Sequence, residues 1–142
     1  MRLLKTLIFT ALIIPSLNAT AEVFVIVNND SSIEKMTIDE VRNIYQERKT
    51  VWENGSKIHP LALGNGDPAE NEFCKIIYGK EATDVAIDWA SRAAQNKSVN
   101  PPKQKRSQKS LIRTLKKDKN AIGFITDKDI LKDKAKIILR IK

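Results

Sequence analysis

The chain has 142 residues, with 25 Lys and Arg against 17 Asp and Glu, a formal net charge of +8, one Cys and one His. A single Cys excludes an intramolecular disulfide, and one Cys with one His excludes the usual transition-metal clusters. The positive excess fits an anionic partner, whether a small oxyanion, a membrane surface or nucleic acid, and equally fits plain solubility.

Arg2 and Lys5 precede an apolar run from Leu7 to Ile14, broken by Pro15, and Ala19 and Ala21 stand as small residues before Glu22. That run is too short for a span of ~20 apolar residues, and its flanks are those of a cleaved leader. Residues 1–21 are therefore expected to be a signal peptide. Residues 22–142 are expected to form one exported, periplasmic domain with a single core and no stable membrane insertion.

The stretch "EVFVIVNN" is a β-branched run ending in turn formers, which predicts a buried strand. Thr37 with Glu40 three residues later is a capping box, and Ile38, Val41, Ile44 and Tyr45 share one face of the helix it starts. Asn54-Gly55 marks a tight turn before a strand expected at 57–63. "GNGDPAENEF" then turns into a helix that Gly79 closes. A further helix in "EATDVAIDWASRAAQ" is expected to carry Val85, Trp89 and Ala93 inward. "NKSVNPPKQKR" reads as an irregular basic loop. Ser107 caps the helix after it, and strands at 121–126 and 134–141 close the chain. Helices and strands intermix throughout, so the expectation is a layered α/β domain.

Three features bear on chemistry. Cys74 lies among Phe73, Ile76 and Ile77 and is expected to be a buried core thiol. Trp52 and Trp89 are expected to pack in the core. The turn at 64–67 opens a helix, where free N–H groups and the helix dipole favour an anion. No Cys–His pair and no Ser-His-Asp spacing supports catalysis, so no enzymatic role and no cofactor or metal is expected. Carboxylates such as Asp67 and Glu70 are explained most simply as helix caps.

The order of these pieces resembles the phosphate-type periplasmic substrate-binding proteins of ABC transporters. The likeness rests on Met36-Thr37, Glu40-Val41, Ile44-Tyr45, Arg48-Lys49, Trp52, Phe73 and the "AIGF" strand at 121–124. It covers nearly all of residues 22–142. It implies a single-domain, mixed-sheet layered fold resembling one lobe of a type 2 periplasmic binding protein, like the short, single-lobe relatives of those proteins. It also implies phosphate or another small oxyanion as ligand.

The family turn has Arg and Ser-Gly-Thr where this chain, counted back from Phe73, has Leu63 and Asp67-Pro68-Ala69. Leu63 brings no charge, Asp67 takes the N–H groups an anion would need, Pro68 supplies none, and Ala69 lacks a hydroxyl. The turn is expected to satisfy itself. Should an anion bind, the candidate contacts are Gly66, Asp67 and Ala69 of the turn and Lys103, Lys105 and Arg106 of the basic loop. Asn28, at the end of the first strand, completes the set. The leading expectation is an exported solute-binding-protein-like domain whose anion binding is weak or absent. The alternative is a ligand-free interaction module or sensor accessory protein of the cell envelope, with an envelope protein or a second copy as partner. Nucleic acid is not expected, because no recognised binding motif accompanies the charge.

Overall fold

A computed structural model describes residues 12–15 and 21–142. The leader expected at 1–21 therefore lies, apart from 12–15 and 21, outside the described residues. The described chain runs β1 (Val23–Val27), α1 (Ile38–Tyr45), β2 (His59–Leu63), α2 (Pro68–Ile77), α3 (Ala82–Ala94), β3 (Lys103–Lys105), α4 (Gln108–Lys117), β4 (Ala121–Ile125) and β5 (Lys136–Ile141). A short 3₁₀ turn at Lys128–Ile130 precedes β5.

The strands form one sheet in the order β3-β2-β4-β1-β5. β2 runs parallel to both β3 and β4, whereas β1 is antiparallel to β4 and β5. The sheet is therefore mixed, as expected, and the first, 57–63 and last strands share it. All five residues of β1 and of β4 are buried. Continuous apolar runs mark strands covered on both faces.

Side-chain alternation along β4 assigns the layers. A Cβ added at Gly123 would stand 2.6 Å from Leu111 Cδ2, so α4 presses on that face. The next residue, Phe124, stacks on Phe73 of α2 at 3.7 Å between centroids, with Tyr45 of α1 edge-on to Phe73 at 4.7 Å. Helices α1 and α2 thus cover the opposite face. Tyr45 also donates its hydroxyl to Leu61 O at 2.7 Å and Ile122 O at 3.2 Å. It inserts a donor between β2 and β4 beside Pro60, which has no N–H to give.

The capping box at Thr37 and Glu40 is present, as are the Asp67 and Ser107 caps. Gly79 follows α2 with φ +67°, the left-handed conformation that closes helices. Two expectations need correction. The basic stretch is not wholly irregular: Lys103–Lys105 forms β3, paired with Leu61–Leu63, because hydrogen bonding to a parallel neighbour outweighs weak local propensity. Helix α3 buries only Ala82 and Val85, with Trp89 half-buried and Ala93 exposed. It packs on α2 through a small cluster with Cys74 and Tyr78, its last turn is tied to the segment after α1 by Arg92, which pairs with the buried Glu47 carboxylate at 2.7 Å, and its outer face stays exposed. Trp52, by contrast, is buried in the main core and donates Nε1–H to Asn120 O at 3.0 Å.

Candidate functional site

Because β2, β3 and β4 are parallel, their carboxyl ends lie at one edge of the sheet, where ligands settle in open α/β folds. The turn after β2 reaches the start of α2 here, Arg106 and Ser107 link β3 to α4, and Thr126 ends β4. Register places Lys105 opposite Leu63, directly beside the turn, and Lys103 opposite Leu61, two residues back. The structure thus brings Gly66, Asp67, Ala69, Lys105 and Arg106 to one end. Gly66 and Arg106 are exposed, Asp67 is half-buried and Ala69 is fully buried.

Asn28 is not with them. It follows β1, which is antiparallel to β4, so it lies at the opposite end of the sheet, one position past the Val27–Ile122 pair. Its Nδ2 donates to Leu115 O at 2.9 Å and Lys116 O at 3.1 Å, and its Oδ1 accepts from Asp30 N. A buried Asn with these partners closes the last turn of α4 and ends β1.

Several donors at the site edge are committed within the chain. Asp67 Oδ1 accepts from Ala69 N at 2.8 Å, and Asp67 N donates to Gly64 O. Ser107 Oγ accepts from Ser110 N at the start of α4. Gln108 then ties the three segments together. Its Oε1 accepts from Thr126 N at 3.0 Å and Asp127 N at 3.1 Å, and its Nε2 donates to Asp67 Oδ1 at 3.1 Å and Thr126 Oγ1 at 3.0 Å. The carboxamide oxygen of Gln108 thus occupies the point on which the Thr126 and Asp127 N–H groups converge. Nothing in the sequence around Gln108 announces this, since its partners are 18 and 41 residues away.

Glu70 differs from the cap expected of it. It is 8% exposed, Oε2 accepts from Leu63 N at 3.0 Å, and Cys74 Sγ donates to Oε1 at 3.3 Å. The carboxyl therefore ties α2 to β2 rather than capping its own helix. Burial raises the Glu70 pKa above its ordinary value, with the Leu63 N–H and the Cys74 thiol pulling the other way. Burial, then the Glu70 charge, raises Cys74, so this thiol is no nucleophile. Burial likewise raises Tyr78. A local signal for Glu70 exists: with Phe73, Cys74 and Ile77 it falls on the apolar stripe of α2.

Between β2, α2, α3 and the Pro101-Pro102 segment lies a cavity of about 280 Å³, lined in part by Glu70, Tyr78 and Trp89. Among the described residues no three His, Cys, Asp or Glu are grouped to hold a metal ion. No described helix is long and apolar enough to cross a membrane.

No protein-family model matches the sequence, and no curated protein does. The fold does have solved counterparts. One is a protein from Clostridium perfringens described as a phosphate ABC transporter substrate-binding protein and crystallised with phosphate. It is similar at a TM-score of 0.64 and 15% identity, over 84% of this chain and 45% of its own. An ABC-type phosphate transport receptor from Vibrio cholerae aligns at 0.61 and 15%, over 84% and 47%. PstS from Borrelia burgdorferi aligns at 0.55 and 14%, over 83% and 47%. The chain spans about half the length of the structures it matches, and at such identities what is shared is the fold of one part of them.

Proposed function

We propose that this chain is a solute-binding-protein-like domain of the exported compartment, delivered by a leader at residues 1–21, whose own binding of phosphate or a similar oxyanion is weak or absent. One observation supports this above the rest: Asp67 and Gln108 use the N–H groups of Ala69, Thr126 and Asp127 at the edge where a ligand would sit. An anion there must displace bonds that already exist and approach a carboxylate, which costs on the order of 1 kcal/mol even in water. What attraction remains comes from Lys105 and Arg106, neither in an ion pair among the described residues. In this reading a residual contact runs through the exposed Gly66 with Lys105 and Arg106, and no catalytic step is involved.

A second reading, an interaction module of the cell envelope, is favoured by the exposed outer face of α3. Ile87 on that helix is 66% exposed and Val99 in the loop beyond it 69%, apolar surface that a protein partner or a second copy would cover. Isothermal titration of phosphate into residues 22–142, at low and moderate salt, tests the first reading. A flat trace at both salts fits the self-satisfied turn and moves attention to protein partners. Saturable one-to-one binding in the micromolar range, lost on mutating Lys105 and Arg106, would overturn the proposal.

A further inference from the structure

The cavity behind the turn has chemistry that an oxyanion cannot use. Glu70 lines it, more than nine-tenths buried, and among the described residues its two oxygens meet only Leu63 N–H and Cys74 S–H. Among the described residues no Lys, Arg or His nitrogen forms an ion pair with it. A buried carboxyl without a counter-charge is costly, and proteins ordinarily pair it. The rest of the wall is largely carbon and aromatic: Phe73, Tyr78, Val85, Trp89 and Pro102. Electron-rich ring faces attract organic cations, and the Trp89 ring already has the Arg92 guanidinium 5.5 Å from its centroid. Arg92 itself lines the neighbouring cavity and not this one.

We infer that this cavity binds a small organic cation, a primary or quaternary amine, with its ammonium group against the Glu70 carboxylate and its substituents against Phe73, Tyr78 and Trp89. The volume of about 280 Å³ holds on the order of ten non-hydrogen atoms at the roughly 30 Å³ each that water occupies. A carboxylate repels phosphate, so this site and the turn select opposite charges. The mouth, between Asn65, Ala86 and Gln104, is made of exposed residues. The ligand enters beside α3, whose Ala86 stands at that mouth.

The test uses the full chain and two probes, choline and benzylamine, each set against its neutral isostere, 3,3-dimethylbutanol and benzyl alcohol. Isothermal titration measures affinity, and the two indole N–H resonances of the labelled protein report position. The expected result is saturable one-to-one binding of at least one amine that shifts the Trp89 resonance and spares Trp52. Its neutral isostere binds about tenfold more weakly or worse, and Glu70→Gln and Trp89→Ala each weaken the amine by about tenfold. Trp89 is half-buried, so Trp89→Ala keeps the test valid should Glu70→Gln fail to fold. Absence of saturation with both amines, equal binding of amine and isostere, or unchanged affinity in a folded variant overturns the inference. A phosphate titration run in parallel reports on the turn alone and does not bear on the amine site.

Discussion

Replacing Gln108 with Ala probes the tie that closes the sheet edge. The wild-type carboxamide makes four hydrogen bonds, to Thr126 N, Asp127 N, Thr126 Oγ1 and Asp67 Oδ1, all between 3.0 and 3.1 Å. Each such bond is worth about 0.5–1.5 kcal/mol net. The site is half-buried, so water re-solvates part of what is lost, and Ala returns a few tenths of a kcal/mol as the better helix former. The expected loss is about 2 kcal/mol in urea unfolding, with the slope against urea unchanged. A second readout separates function from stability. Freeing the Thr126 and Asp127 N–H groups beside Lys105 and Arg106 is expected to raise phosphate affinity in the folded variant. A stability loss below about 0.5 kcal/mol, an ordinary surface effect, would refute the role given to Gln108. Unchanged phosphate binding in a variant destabilised as expected would refute the view that Gln108 holds the site shut.

Gly123→Ala puts a methyl 2.6 Å from Leu111 Cδ2 in a fully buried contact and is expected to cost about 1–3 kcal/mol by overpacking. An unchanged melting temperature would contradict the close seating of α4 on β4. Asn28→Ala strips the donor from Leu115 O and Lys116 O; a loss of about 1–3 kcal/mol and faster amide exchange in the last turn of α4 are expected, while phosphate binding does not change. The Glu70 pKa is raised in the fold by burial. Its stabilising contribution is therefore full below the unfolded value and fades as pH rises through the folded one. Wild type should lose stability relative to Glu70→Gln as pH climbs from about 4 towards neutrality, and a pH-independent difference in urea midpoints would show that the carboxyl is not desolvated.

Most of the fold was legible locally. The Thr37–Glu40 box, the Asp67 and Ser107 caps, the Gly79 stop and the apolar runs of β1 and β4 are set by contacts within a few residues, so pattern and propensity reveal them. The departures at Leu63, Asp67, Pro68 and Ala69 were equally readable, because an N-cap and a proline act on the backbone next to them.

Tertiary structure decided the remainder. Lys103–Lys105 becomes a strand only because β2 offers it a parallel edge, and α3 stays largely exposed because one small cluster with α2 and the Arg92–Glu47 ion pair hold it. Asn28 stands far from the other candidates because β1 runs against β4, a matter of sheet order and not of residue type. Gln108 reaches partners 18 and 41 positions away, and the cavity around Glu70 exists only where four segments meet. The sequence alone thus determined the elements other than β3, and the self-capped start of α2, since those are short-range hydrogen-bonding and packing preferences. Which side chains face one another across the sheet edge and inside the cavity was set by the long-range pairing of the strands, because only chain closure brings distant groups within bonding distance.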